Sequence, residues 1–314
     1  MSGAQRLILG TRGSPLALWQ ARHVASRLRA AHPGLDVEER IIKTEGDVST
    51  KQFGASTNKG VFVKEIEDAL LDGRVDLAVH SLKDLPTELP ERLTIAAVLE
   101  RHDPRDGVLS LAGWTFDELP EGTPVATGSF RRRCQLLERR PDLRVVPVRG
   151  NVDTRIRKLR EGQFGAMVLA LAGVERLGLR EVPIRPIPED VCLPAVGQGA
   201  VAIEARADDG RTLAACAVLD HADTHVRVRA ERAFLARLGG GCLAPATGFA
   251  TLHDGVVLVR AVVGDPEGRT VLRDRESGVR DRARGVGESL AARMLAAGAE
   301  RLLREARDAA GEDA

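Results

Sequence analysis

The sequence predicts an α/β protein made of two α/β domains followed by a smaller α+β domain. Three observations predict it. Over roughly the first two thirds of the chain, short apolar runs of strand character alternate with helix-periodic segments, the pattern of sheets covered by helices on both faces. The Gly- and Pro-rich run Leu193-Pro194-Ala195-Val196-Gly197-Gln198-Gly199 then leads into another strand, Ala200 to Glu204, where a return crossing between domains makes sense. Beyond Leu219 the alternation stops, and three strand-like segments precede a long amphipathic helix.

The elements follow in order. Leu7-Ile8-Leu9 opens the first strand, and Ser14-Pro15 supplies an N-cap and a first-turn proline for a helix to about Ala31. Val37 to Lys43 reads as extended, Phe62 to Leu71 as a helix, and Val75 to Val79 and Thr94 to Leu99 as strands. After the polar stretch Glu100 to Asp106, Pro124-Val125-Ala126 is a strand, Ser129 starts a helix, Val145 to Val148 is extended, a helix follows Asp153, and Ala166 to Leu169 is a strand. Such alternation implies mostly parallel sheets. The last part reads as a helix from Thr224 to Leu238, strands Thr247 to Leu252, Val256 to Val263 and Thr270 to Arg275, and one helix from Asp281 to Ala309.

Composition removes several classes of function. With 314 residues, 43% hydrophobic, the chain can bury a large core, and 46 Lys+Arg against 45 Asp+Glu leave a net charge of +1. No global field draws it to nucleic acid or to a membrane surface, so anion recognition must be local. The N-terminus has no signal-peptide run and no segment reaches membrane-spanning length, so the expectation is a cytoplasmic protein. Cys134, Cys192, Cys216 and Cys242 form no CxxC pair, which argues against a disulfide framework or a zinc site. Aromatics are 3% with no Tyr, so platforms for stacking single-stranded nucleic acid are not expected.

The chemistry-bearing motifs sit at strand ends. Leu77 to Leu82 is an apolar strand ending in Lys83-Asp84, where α/β sheets bind ligands: an ammonium for carboxylates, and a carboxylate for protons or positive charge. Thr127-Gly128-Ser129-Phe130-Arg131-Arg132 opens a helix with cations that oppose the helix dipole unless an anion neutralises them. Arg149-Gly150-Asn151 leading to Arg155 has the same form, as do Arg12 and Ser14 after the first strand. Between Pro124 and Arg160 eleven Arg or Lys face three Asp or Glu, a local surplus that suits a polyanionic ligand. Gly239-Gly240-Gly241 places the thiol of Cys242 where a bulky adduct can approach. Cys134, one turn into a cationic helix, is the rival reactive thiol. Gly197 to Ala202 fits GxGxxA, but a strand follows where the dinucleotide motif needs a helix. Gly54 to Gly60 is a loop carrying one useful cation, Lys59, and His221 and His225 lack a third ligand, so no metal is expected.

Together, Thr11 to Ala17, Asn58 to Glu65, Ala78 to Pro86, Arg149-Gly150-Asn151, Leu193 to Gly199 and Gly240-Gly241-Cys242 closely resemble the porphobilinogen deaminase family over essentially the whole chain. The resemblance implies an enzyme that joins four porphobilinogen units head to tail, releasing ammonia, into hydroxymethylbilane, primed by a dipyrromethane cofactor thioether-linked to Cys242. It implies two periplasmic-binding-protein-like α/β domains, residues 1–99 plus 199–218 and residues 100–198, with an α+β domain at 219–314 carrying the cysteine. By the same likeness Asp84 is catalytic; Lys83, Ser129, Arg131, Arg132 and Arg155 contact the cofactor; and Arg12, Ser14, Gln20, Lys59 and Arg149 contact substrate or the elongating chain. A monomer without nucleic-acid or membrane partners is implied as well. Every pyrrole brings an acetate and a propionate, so local arginine clusters in a neutral protein fit that substrate. The family usually has Ser where Gly128 stands, which removes one hydroxyl from the cofactor's surroundings. A non-catalytic anion-binding protein is the rival reading, opposed by the absent export signal and by the Lys83-Asp84 pair.

Overall fold

The computed structural model describes residues 6–44, 63–239 and 244–312. The chain divides into two compact units, one of residues 1–102 with 200–225 and one of residues 103–199 with 226–314.

In the first unit, β1 (Arg6–Thr11), β2 (Asp36–Ile41), β3 (Leu77–Ser81), β4 (Leu93–Val98) and β10 (Val201–Arg206) form one sheet in the order β2-β1-β3-β10-β4. Helices α1 (Pro15–Ala31), α2 (Lys64–Leu71) and α6 (Gly210–Ala217) accompany it. Leu7, Leu9, Val79 and Ile203 pack with Val24 and Leu28 of α1, while Ala78 packs with Ile66 and Leu70 of α2. Burial on both faces is why β3 is apolar from Leu77 to Val79. Ser14 caps α1 by accepting from the Ala17 N–H, and Pro15 occupies the first turn.

The second unit holds two sheets. β5 (Asp106–Leu109), β6 (Pro124–Ala126), β7 (Arg144–Val146), β8 (Ala166–Ala170) and β9 (Ile184–Pro186) pair in the order β7-β6-β8-β5-β9, with α3 (Phe130–Arg139), α4 (Val152–Arg160) and α5 (Leu171–Arg176). Val125, Val168 and Leu136 fill one face, and Ala126, Met167, Ile156 and Leu159 the other. The remaining sheet is an antiparallel meander of β11 (Ala246–His253), β12 (Val256–Gly264) and β13 (Val271–Val279). It buries Val257, Val259 and Ala261 against Phe234 of α7 (Ala222–Leu238), Leu290 and Met294 of α8 (Ala283–Ala296) and Leu302 of α9 (Ala299–Glu312).

Three sequence expectations change. The two large sheets are mixed rather than mostly parallel: β1 pairs in parallel with β2 and β3, but β10 runs antiparallel to β3 and β4, and β5 antiparallel to β8 and β9. The polar stretch ending at Asp106 runs directly into a buried strand, because Asp106 is neutralised inside the protein rather than solvated. The single C-terminal helix is two, divided at Gly298, whose φ of 100° no helix interior accommodates.

Candidate functional site

In each unit the charged motifs follow the carboxyl ends of parallel strands, where βα connections leave backbone and side chains open to a ligand. β1, β2 and β3 are parallel in the first unit, and β6, β7 and β8 in the second.

In the first unit, β1 ends at Thr11 and delivers Arg12 and Ser14, both partly exposed, to the start of α1. β3 ends at Ser81 and passes into a 3-10 turn, Leu82–Asp84. Leu82 is buried, and its N–H donates to the Ala200 carbonyl at 3.1 Å. That anchor turns Lys83 and Asp84 outward, Lys83 partly exposed and Asp84 exposed. Among the described residues the Asp84 carboxylate has no hydrogen-bond or ion-pair partner. Gln20, one of the residues assigned to substrate by resemblance, is buried, and its amide donates to Ser81 Oγ at 2.8 Å, tying α1 to the end of β3. Lys59 lies outside the described residues.

In the second unit, β6 is followed by Thr127, Gly128 and Ser129, and Ser129 caps α3 by accepting from the Arg132 N–H. Arg131 and Arg132 then turn inward, 5% and 7% exposed, onto the fully buried Asp106. Arg131 Nη2 donates to Asp106 Oδ2 at 2.7 Å and its Nη1 to the Leu193 carbonyl, with Cys192 Sγ at 3.4 Å. Arg132 Nη2 donates to Asp106 Oδ1 at 2.8 Å and its Nη1 to the Val168 carbonyl at 3.1 Å. Gln198 adds a 2.8 Å bond to Asp106 Oδ1. Burial alone would push the Asp106 carboxyl up, but the two guanidiniums and the Gln198 amide overcome it and hold it well below the usual carboxylate range. Arg132 Nε, also buried, has no hydrogen-bond partner among the described residues.

Further cations collect at the same strand ends. Beyond β7, Arg149 is exposed, and Asn151 caps α4 by accepting from the Thr154 N–H. Arg155 Nε donates to the Gly150 carbonyl at 2.8 Å, and its guanidinium is driven below its ordinary value by desolvation and by the charge of Arg132. Arg176, in the helix that follows β8, was not singled out from the sequence. It is buried, donates to the Gly199 carbonyl at 2.7 Å, and is lowered to about 10 by desolvation. The legible signal was its position shortly after the carboxyl end of the apolar strand Ala166 to Ala170.

The run Leu193 to Gly199 belongs to this network. Leu193 N–H donates to Gln135 Oε1 at 2.9 Å, Gln198 reaches Asp106, and Gly197 N–H donates to Glu231 of α7 at 2.8 Å. Glu231 also accepts from Ala250 N–H of β11 at 2.9 Å, and Thr247 Oγ1 donates to the Pro194 carbonyl at 2.6 Å. The motif therefore fastens the five-stranded sheet to the meander.

The thiols separate cleanly. Cys134, Cys192 and Cys216 are buried and free, and desolvation pushes each up to about 12. The expectation of a reactive Cys134 is overturned: it stands against Gly264 of β12, away from water, with the Glu138 and Asp265 charges opposing its thiolate. Cys242 lies outside the described residues. Among the described residues no cluster of His, Cys, Asp and Glu has the arrangement of a metal site, and no helix is long and apolar enough to cross a membrane.

Solved structures similar to this chain include the substrate binding protein of an amino acid ABC transporter, 13% identical over 68% of this chain and 91% of that one, TM-score 0.38. The L-cystine solute receptor of Neisseria gonorrhoeae in its unliganded open conformation is 14% identical over 69% and 86%, TM-score 0.41. The BenM effector binding domain with its effector benzoate is 13% identical over 67% and 87%, TM-score 0.39. Two family descriptions match in sequence: "Porphobilinogen deaminase, dipyromethane cofactor binding domain" over residues 7–214 and "Porphobilinogen deaminase, C-terminal domain" over residues 225–296. With both matches covering most of the chain, on a fold that presents a carboxylate in one unit and an arginine cluster in the other, the chain belongs to the porphobilinogen deaminase family.

Proposed function

We propose that Asp84 is the carboxylate that manages protons and developing positive charge in this enzyme, and that the cationic ends of β6, β7 and β8 hold the acidic groups of cofactor and growing chain. The reaction is the family's: four porphobilinogen molecules are joined head to tail, with release of ammonia, into the linear tetrapyrrole hydroxymethylbilane, on a dipyrromethane cofactor, in porphyrin and heme biosynthesis.

The observation that carries the assignment is the surplus of desolvated cations at three adjacent strand ends. Arg132 Nε is buried without a hydrogen-bond partner, and burial holds the guanidiniums of Arg155 and Arg176 below their ordinary values. Carboxylates of a ligand return the favourable interaction that desolvation removes, and guanidinium forks match their geometry. A dipyrromethane, with several such carboxylates, fits this donor set. Lys83, Ser129, Arg131, Arg132 and Arg155 are assigned to it, Arg131 standing behind Arg132 with both terminal nitrogens already donating inside the protein. Arg12, Ser14, Gln20, Lys59, Arg149 and Arg176 are assigned to substrate and elongating chain, Gln20 acting through Ser81.

When bound, the dipyrromethane supplies the free pyrrole carbon at which the chain is extended. Asp84, exposed and acceptor-only when ionised, is suited to take hydrogen bonds from pyrrole N–H groups and to stabilise the positive charge left as ammonia departs. Cys242 is the attachment point, supported by the burial of the other three thiols and their values near 12. Residues 219–314 form the domain that carries it, and the enzyme works as a cytoplasmic monomer.

Intact mass of the purified protein beside Cys242→Ala and Cys134→Ala tests this reading. A two-pyrrole surplus that survives in Cys134→Ala and disappears in Cys242→Ala is expected. The same surplus retained in Cys242→Ala after incubation with porphobilinogen overturns the attachment.

A further inference from the structure

A second group of ionisable side chains lies inside the first unit, behind the turn that carries Lys83 and Asp84. His80 is the penultimate residue of β3, and Glu204 sits on the neighbouring antiparallel strand β10, with Ala202 opposite His80 and Glu204 opposite Ala78. Alternation along paired strands puts His80 and Glu204 diagonally on one face. Their side chains are 5% and 0% exposed, and His80 Nε2 lies 3.0 Å from Glu204 Oε2. The contact has hydrogen-bond distance without hydrogen-bond alignment: both Glu204 oxygens and His80 Nε2 are buried with no hydrogen-bond partner. Glu67, from α2, has its Oε1 in the same condition.

Buried, unpartnered carboxyl oxygens of Glu67 and Glu204 and a buried imidazole nitrogen of His80, on a helix packed against the paired strands β3 and β10, are costly unless a proton is shared among them. Glu67 shows that cost. Burial first, then the charge of Glu204, pushes its carboxyl up to about 7, with Asp68 adding to the rise and His80 opposing it. A protonated carboxyl is a donor, which is what the Glu204 oxygens lack.

We propose that Glu67, His80 and Glu204 are positioning residues for the Lys83–Asp84 turn: Glu67 presents a carboxylic-acid hydrogen to Glu204, Glu204 holds His80, and the end of β3 from which the turn emerges is fixed. Gln20 on Ser81 and Leu82 N–H on Ala200 hold the same strand end from other sides. The inference rests on the assignment of Asp84 as the charge-stabilising carboxylate.

Among the described residues, other charged groups around α2 do not replace this donor. On α2 itself Lys64 is exposed, and Glu65 and Asp68 line a separate surface pocket with Arg40, Lys43 and Arg74. From β10, Arg206 donates to the Leu70 and Val75 carbonyls and pairs with Asp76 and Asp209. From β1, Arg6 pairs with Asp36 and Glu38, and β4 has no ionisable side chain. Ionisation of Glu67 therefore withdraws the donor and sets a second negative charge beside Glu204.

Infrared difference spectroscopy of the cofactor-loaded enzyme across neutral pH is the first test. A protonated-carboxyl band that disappears as pH rises through about 7, and is missing at every pH in Glu67→Gln, is expected. No such band in the native enzyme, or the same band in Glu67→Gln, overturns the proposal. Glu67→Gln keeps an N–H donor at all pH values, so the ratio of its kcat to the native kcat should climb several-fold through neutrality; a flat ratio overturns the positioning role. Failure of the Asp84 assignment looks different: Asp84→Asn then stays active while the infrared band and the rising ratio remain.

Discussion

Arg131 and Arg132, adjacent in the first turn of α3, bind opposite oxygens of the single carboxylate of Asp106, at 2.7 and 2.8 Å. Two guanidiniums on one carboxylate leave the buried cluster with one positive charge in excess, and Asp106 is what makes their burial tolerable. Asp106→Asn removes the countercharge while keeping the volume, and should cost about 3–5 kcal/mol of stability, the range for breaking a buried pair. The cost also has a pH signature. Because the folded carboxyl is held below its unfolded value, the stabilisation is complete above the ordinary carboxylate pKa of about 4 and is lost as pH falls below it. Thermal unfolding of native and Asp106→Asn protein should therefore differ by a constant amount from neutral pH to about pH 5 and converge in stronger acid. Parallel curves down to about pH 2 would contradict the ion pair.

Position relative to that carboxylate separates the arginines. Arg132→Leu leaves Asp106 with one guanidinium, that of Arg131, beside the Gln198 amide and removes the buried Nε, so the purified variant should lack the two-pyrrole mass. Arg149 is exposed beyond β7, and its loss disturbs no buried partner. Arg149→Leu should carry the cofactor mass and stall during elongation, accumulating species with one to three added units when porphobilinogen is supplied. Equal cofactor content in the two variants would count against the division of labour.

The alternation of strands and helices was legible because burial on both faces leaves continuous apolar runs such as Leu77 to Val79. The caps Ser14 and Ser129 were legible because capping is local chemistry. Strand direction was not: β10 returns from a distant part of the sequence and enters antiparallel, which no local pattern encodes. Asp106 was hidden for the same reason. Its place at the end of a polar stretch looks solvated, and only the fold brings it to Arg131, Arg132 and Gln198. Cys134 misled because a cationic helix start predicts an acidic thiol, whereas packing against β12 buries it.

Asp84 differs from the buried acids in being exposed and without a protein partner among the described residues. Its removal should leave folding intact, so a change in activity reads chemistry. Asp84→Asn should bring ammonia release down by about 100-fold or more, the scale of a lost charge-stabilising or proton-handling group, with melting temperature unchanged. Asp84→Glu, which keeps the charge on a longer arm, should retain part of the activity. Near-native turnover of Asp84→Asn would remove the carboxylate from the mechanism.

Gly128 offers the last test, because the family's usual residue there is Ser. A Cβ built on Gly128 lies 3.0 Å from the Val148 carbonyl oxygen, so a serine requires that segment, which leads into Arg149, to move by a few tenths of an ångström. The glycine thus fits a closer approach of the β6–α3 connection to the end of β7, and its backbone N–H remains available to a ligand carboxylate. Gly128→Ser should retain the cofactor mass while losing about 1 kcal/mol of stability, the scale of modest overpacking. A variant that gains both stability and cofactor retention would show instead that the missing hydroxyl was a loss to this chain.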